Sequence, residues 1–79
     1  MMLRYVDLRL VGITPDTSTN RLISLANHKN WLVRAAVAEH FRTPDELIVK
    51  LSHDKNANVR EKAKKELARR KKQEEVRYV

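Results

Sequence analysis

Apolar residues recur at every fourth position in two stretches of the chain, and each stretch predicts one amphipathic helix. The two ridges are Val33, Val37 and Phe41 in the first stretch, and Val59, Ala63 and Leu67 in the second. An asparagine precedes each stretch, Asn30 in one case and Asn56 in the other, and asparagine is favoured as a helix N-cap. The pattern therefore predicts two helices that begin just after these asparagines.

A shorter helix is predicted before each of these two. For the later one, Thr43 is suited to cap the helix, Pro44 fits its first position, and Glu46 completes a capping box. The apolar stripe that follows is formed by Leu47, Ile48 and Leu51. For the earlier one, the expected cap is Thr17, Ser18 or Thr19, and the expected inward-facing residues are Leu22, Ile23 and Leu25.

The sequence contains an internal repeat. The stretch from Ser24 to Arg34 aligns with that from Lys50 to Arg60, with identical leucine, lysine, asparagine, valine and arginine residues, and Thr-Pro-Asp precedes each copy. Because the aligned stretch and the Thr-Pro-Asp before it both recur in the same order, the sequence predicts two helical hairpins. We therefore expect a single domain over 1–79: a leading half-repeat over 1–13, repeat 1 over 14–42, repeat 2 with a C-terminal cap helix over 43–72, and a frayed tail over 73–79.

The two longer helices differ in how far their apolar character extends. Residues 31–41 are apolar on nearly every side, which is typical of a helix enclosed by neighbours. Residues 57–67 keep one apolar ridge and carry charge elsewhere, which is typical of the end of a repeat stack. Before the first hairpin, residues 2–10 fit either a helix or a strand, and the lack of any strand partner favours a helix.

Composition narrows the fold class to all-α. One glycine and two prolines are too few for the turns of a β-sandwich or barrel, and the absence of cysteine excludes disulfides and Cys-bound metals. The net charge of +7 makes the chain strongly basic. No apolar stretch approaches the ~20 residues of a membrane span, so we expect a soluble, cytoplasmic protein.

Two motifs carry a resemblance to known repeats. Asp54 followed by Val59-Arg60 resembles HEAT repeats, and the run from Leu22 through Val33-Arg34 to Thr43-Pro44 resembles the leucine-rich repeat variant family. The resemblance implies a short α-solenoid of about two and a half HEAT-like hairpins. The chain departs from the family at His28, where aspartate is usual, and it lacks the cysteine-rich iron–sulfur segment of one member type.

Three residues at equivalent or prominent repeat positions are candidate partner-binding residues. Arg34 and Arg60 occupy one repeat position, where each either holds the interhelix turn, with Asp54 as the expected partner of Arg60, or lines a surface that meets carboxylate or phosphate. Trp31 either packs on the leading helix or anchors an interface.

The basic C-terminal helix also permits two interpretations. One is a solvated face stabilised by the pairs Glu61–Lys65, Lys62–Glu66, Glu66–Arg70, Arg70–Glu74 and Lys71–Glu75. The other is contact with an anion or nucleic acid through Arg69, Arg70, Lys71 and Lys72.

No catalytic or metal constellation stands out in the sequence. His28, His40 and His53 lack the spacing of a helical zinc site, and no thiol, triad or glycine-rich loop is present. We expect a non-enzyme without a cofactor, acting as a protein-binding adaptor or regulator whose partner is another protein or a second copy of the chain. The alternative is a basic nucleic-acid-binding module. In size and texture the chain also resembles small phage accessory proteins that delay lysis by acting on a membrane holin, which implies a peripheral regulator of a membrane protein as a third hypothesis.

Overall fold

The chain is described here by a computed structural model, which covers the backbone of residues 13–77 and the side chains of residues 13–73. This part of the chain contains four helices: α1 (Thr19–Leu25), α2 (Trp31–Glu39), α3 (Asp45–Leu51) and α4 (Ala57–Arg77). No strand occurs within the described range, and the predicted all-α class is confirmed. The leading segment over 2–10, with its choice between helix and strand, lies outside the described residues.

Three of the four helices begin at the predicted caps. The Ser18 hydroxyl accepts the Arg21 N–H at 3.2 Å and starts α1. The side-chain oxygen of Asn30 accepts the Leu32 N–H at 2.9 Å at the start of α2. Asn56 repeats this geometry before α4, where its Oδ1 accepts the N–H of Asn58 at 2.8 Å. Each bond satisfies a backbone donor that the first helical turn leaves unpaired.

The predicted capping box of α3 is wrong. The hydroxyl of Thr43 donates to the carbonyl of Val37 at 2.6 Å, so it serves the C-terminal end of α2 instead of the start of α3. Thr43 is almost fully buried, and a buried hydroxyl needs such a partner. The helix begins after Pro44 without a side-chain cap. The carboxylates of Asp45 and Glu46, in its first turn, interact favourably with the partial positive charge of the helix N-terminus.

The core is aliphatic and is centred on α2, which contacts each of the other three helices. Its buried members are Leu22, Leu25, Ala26, Val33, Ala35, Val37, Ala38, Ile48, Leu51, Val59 and Ala63. Ile13, Trp31, Leu47 and Leu67 are partly buried against this cluster. The contacts of α2 with the other three helices agree with the central position predicted for it, but its expected enclosure is incomplete, because Trp31, Leu32 and Ala36 are only half-buried. The single apolar ridge of the last helix is confirmed by the burial of Val59 and Ala63.

Two residues predicted to face the core are exposed. Phe41 is 61% exposed because α2 ends at Glu39 and the backbone becomes extended at His40, which removes Phe41 from the helical ridge. Ile23 is 46% exposed because Leu22 and Leu25 take the inward face of α1 and turn their neighbour outward.

The last helix is longer than predicted. It continues to Arg77, past the expected start of a frayed tail at residue 73. Within the described range, no helix combines the length and the apolar character that a membrane span needs. The helices form two consecutive pairs, α1 with α2 and α3 with α4, while their stacking as a solenoid stays a prediction.

Candidate functional site

An open, largely apolar groove lies between α2 and α4. Its volume is about 390 Å³, and its walls are formed by Trp31, Leu32, Ala35, Ala36, Glu39, Asn58 and Lys62. The first two turns of α2 place Trp31, Leu32 and Ala36 along the groove, where each is half-buried. At the rim, Lys62 Nζ lies 3.2 Å from Glu39 Oε2, so a polar edge borders the apolar floor.

A second groove continues the first along the helix. Its volume is about 380 Å³, and it is lined by Ile13, Thr14, Pro15, Ala36, Glu39, His40 and Phe41. Ala36 and Glu39 line both grooves, which makes the two surfaces contiguous. We refer to Trp31, Leu32, Ala36 and Phe41 together as the α2 face.

The exposed Phe41 ring is held in position by its neighbours. The His40 ring stacks against it with centroids 5.0 Å apart, and the Arg42 guanidinium lies 5.5 Å from its centroid. His40 Nδ1 accepts the Arg42 N–H at 3.1 Å, so the ring proton is on Nε2, which donates to the Thr14 carbonyl at 2.8 Å. The backbone next to Phe41 is therefore hydrogen-bonded, and the ring is presented outward against His40.

The structure places Trp31 at the edge of the hydrophobic cluster, and both interpretations of this residue stay predictions. The indole packs against the hydrophobic cluster and is half-buried, yet it also forms part of the groove wall opposite Asn58 and Lys62. The leading segment that it was expected to contact lies outside the described residues. Sequence reasoning placed Phe41 in the core and did not single out Leu32 or Ala36. The signal for them is present, since α2 is apolar on more sides than the other described helices cover.

Arg34 lies in the interior, where its guanidinium bonds other parts of this chain. Its Nε and Nη2 donate to the two carboxylate oxygens of Asp54 at 2.8 and 3.1 Å, and its Nη1 donates to the carbonyls of His28 and Lys29. The side chain is 7% exposed. This arrangement is the turn-holding role, and it commits the guanidinium to partners within the chain.

Arg60 occupies the same position in the second repeat but has a different set of contacts. Its Nη1 donates to the Asp54 carbonyl at 2.8 Å, which repeats the bond from Arg34 Nη1 to His28 at 2.7 Å. The expected partnership of Arg60 with Asp54 is confirmed, and it runs through the Asp54 carbonyl, because the Asp54 carboxylate is bonded to Arg34. Partner contact through Arg60, which is half-buried, stays a prediction.

Two carboxyl groups have pKa values below their ordinary values, so the free energy of unfolding depends on pH. Burial raises the pKa of Asp54, but hydrogen bonds from Arg34 and the Asn56 N–H, with the charges of Arg34 and Lys55, bring it below its ordinary value of 3.8. Burial likewise raises the pKa of Glu66, and hydrogen bonds from Arg69 and Arg70 lower it below 4.5. Both groups stabilise the fold while ionised.

We expect the free energy of unfolding to fall as the pH drops below about 4. A depressed folded-state pKa contributes stability above the unfolded-state value, and that contribution is lost as the pH falls through the folded-state value. Urea unfolding between about pH 5 and pH 3 measures the effect. Asp54→Asn should flatten the profile as well as lower its plateau. A stability that stays constant over this range would contradict the assignment.

The predicted basic cluster of the last helix divides into two kinds of residue. Arg70 is directed inward. Its Nη1 donates to the Thr43 carbonyl and to Asp45 Oδ1, and its Nη2 donates to the His40 carbonyl. Its Nε donates to Glu66. Arg69 also donates to Glu66, which raises the pKa of its guanidinium, yet half of its side chain is exposed. Lys71 and Lys72 are exposed. Anion contact by the four residues as a unit is therefore not favoured.

Some of the predicted helix-surface pairs are present and others are replaced. The pair between Glu66 and Arg70 is confirmed at 2.8 Å. Lys62 pairs with Glu39 of α2 instead of with Glu66. The pairs that involve Glu74 and Glu75 lie beyond the described side chains.

The described residues form four helices, with an open groove between α2 and α4. Residues 31–56 match the family model of the leucine rich repeat variant, which is related to HEAT-like helical repeats. The match covers α2, α3 and the turn before α4, and it confirms the resemblance that the sequence predicted. Searches of curated proteins and of solved structures found no significant match. The family match suggests a helical-repeat module for protein interaction.

Proposed function

We propose that this chain is a non-enzymatic adaptor that binds another protein through the α2 face. The observation that carries the proposal is the continuous apolar surface from Trp31 to Phe41, in which a half-buried indole and an exposed phenyl ring flank Ala36. Protein interfaces are enriched in aromatic side chains near their centre and have polar rims. The pair between Glu39 and Lys62 supplies such a rim.

The contacts of the two aromatic side chains within the chain support this use. Trp31 is anchored in the hydrophobic cluster, and Phe41 is held by His40 and Arg42, so little side-chain freedom is lost when a partner covers them. The partner that fits is a protein segment with one or two apolar side chains, because small Ala36 leaves room between the two aromatic groups.

We expect Ala36→Arg to weaken partner capture at least tenfold. Ala36 lines both grooves, so a long charged side chain at this position obstructs the apolar surface, and arginine is well tolerated in a helix, so the fold should persist. Phe41→Ala is the second variant, and Val49→Ala is the matched control because Val49 is an exposed apolar residue on α3. Nuclease-treated pull-downs at two salt concentrations, with sedimentation analysis of self-association on dilution, provide the measurement.

The fluorescence of the single tryptophan gives a direct readout, since covering Trp31 should shift its emission to shorter wavelength. Loss of capture in both α2-face variants, with capture retained in Val49→Ala, is the expected result. Capture that survives Ala36→Arg, or that disappears on nuclease treatment, would overturn the proposal.

The nucleic-acid alternative is favoured by a different observation. Lys64, Lys65, Lys71 and Lys72 are all exposed on α4, at spacings that place them along one side of the helix. Such a stripe attracts phosphate backbones in a strongly salt-dependent manner. Affinity for a generic duplex that falls steeply with salt, and that weakens in a Lys71→Gln/Lys72→Gln variant, would favour this function over the adaptor.

A further inference from the structure

We propose that the groove between the two interhelix turns binds an acidic segment of a partner protein. This site is separate from the α2 face, since Arg34, which lines it, projects from the opposite side of α2 to Ala36. The ligand class is a peptide whose aspartate or glutamate side chains flank an apolar residue.

The groove has an apolar floor and a cationic border. Its volume is about 550 Å³, and the buried residues Ala26 and Leu51 contribute to it from the ends of α1 and α3. The turn before α2 contributes His28 and Lys29, the turn before α4 contributes His53 and Lys55, and α3 contributes Lys50.

The repeat explains part of this arrangement, because Lys29 and Lys55 occupy the same repeat position and so border the groove from two sides.

The positive charge around the groove is in excess. Asp54 is the only acidic residue among the described lining residues, and its carboxylate is bonded to Arg34 and to the Asn56 N–H. That pair is close to neutral. Lys29, Lys50 and Lys55 are exposed, and within residues 13–73 none of them forms an ion pair. Three ammonium groups therefore remain to attract carboxylates from outside the chain.

A histidine N–H and two helix N-termini supplement the charge of the three lysines. His28 Nδ1 accepts the Asn30 N–H at 3.0 Å, so the ring proton is on Nε2 and is available to an incoming acceptor. Both turns lead directly into helices, α2 and α4, whose N-terminal ends carry partial positive charge. These dipoles supplement the lysines, and the floor supplies contact area for an aliphatic side chain.

A peptide fits this groove better than a nucleic acid does. No phenylalanine, tyrosine or tryptophan is among the described lining residues, so the stacking platforms that hold unpaired bases are lacking. A duplex is too broad to enter a concavity of about 550 Å³ and would meet only its border. A side chain from an extended or helical acidic segment can reach the floor while its carboxylates meet Lys29 and Lys55.

The test uses a labelled ten-residue peptide with aspartate and glutamate on both sides of a central leucine. We expect fluorescence anisotropy to show saturable binding by the full chain, and no binding of the same peptide with asparagine and glutamine in place of the acids. Lys29→Gln/Lys55→Gln should weaken binding at least tenfold. Lys64→Gln/Lys65→Gln removes the same charge from the exposed surface of α4 and should change the affinity less than twofold.

Three outcomes would overturn the proposal. Equal weakening by the two double variants would show that net charge alone attracts the peptide. Binding unaffected by Lys29→Gln/Lys55→Gln would place the peptide elsewhere, and a duplex that competes for the groove more strongly than the peptide would assign it to nucleic acid. Ala36→Arg should leave peptide binding intact, so failure at this groove is distinguishable from failure at the α2 face.

Discussion

Replacement of Arg34 by methionine is expected to lower the free energy of unfolding by about 3 kcal/mol. The change removes both bonds to the Asp54 carboxylate and leaves that carboxylate, which is only 10% exposed, without its counter-ion. It also removes the donor to the carbonyls of the turn before α2. A domain of this size has a total stability on the order of 4 to 12 kcal/mol, so the variant should be close to unfolding. Urea titration monitored by helical circular dichroism measures the loss.

Arg60→Met is the matched control, because Arg60 occupies the equivalent position and makes the equivalent backbone bond without a carboxylate. We expect it to cost about 1 kcal/mol or less. A double variant, Arg34→Met with Asp54→Leu, should recover part of the loss, since no charge is then left unpaired. Equal destabilisation by Arg34→Met and Arg60→Met would contradict the assignment of a special role to the pair.

Replacement of Arg70 by methionine is expected to lower the free energy of unfolding by about 2 kcal/mol. The guanidinium links α4 to the connection between α2 and α3, since it donates to the carbonyls of His40 and Thr43 and to Asp45. It also shares Glu66, a carboxylate that is 8% exposed, with Arg69. Thermal and urea unfolding of the variant, at neutral pH, give the two measurements.

Lys71→Met is the neighbouring control, because Lys71 is exposed and its removal changes the net charge by the same amount. Its stability should stay within about 0.5 kcal/mol of the original. Arg69→Met should fall between the two, since Arg69 bonds Glu66 but is half exposed. If Arg70→Met behaves like Lys71→Met, then Arg70 is a surface residue in solution and its interpretation as a link between helices is wrong.

Local signals in the sequence predict the helices well and their ends less well. Asn30, Asn56 and Ser18 cap as expected, because an N-cap bond involves residues only two or three positions apart. Thr43 also has the local signal of a cap, yet its hydroxyl bonds the end of the preceding helix. Tertiary packing decides between these partners, and no pattern within a few residues of Thr43 contains that information.

The candidate site is less predictable for a related reason. Charged pairs on one helix can be proposed from spacing, as with Glu66 and Arg70, but the spacing does not reveal that Arg70 also reaches residues 40–45. In the same way, the repeat alignment identifies Arg34 and Asp54 without showing that they belong to one pair. The exposure of Phe41 depends on the single residue at which α2 ends.

The bond between Arg34 and Asp54 gives the connection between the two helix pairs a direction. The second helix of the first unit provides the arginine, and the turn of the second unit provides the aspartate, so this bond points toward the C-terminus. Arg60 is the equivalent arginine of the second unit, and its Nη1 already donates to the Asp54 carbonyl. We expect a third unit engineered after the second, with aspartate at the position equivalent to Asp54, to form the corresponding bond with Arg60. A unit added before the first would face His28, which has no carboxylate, and would form no such bond.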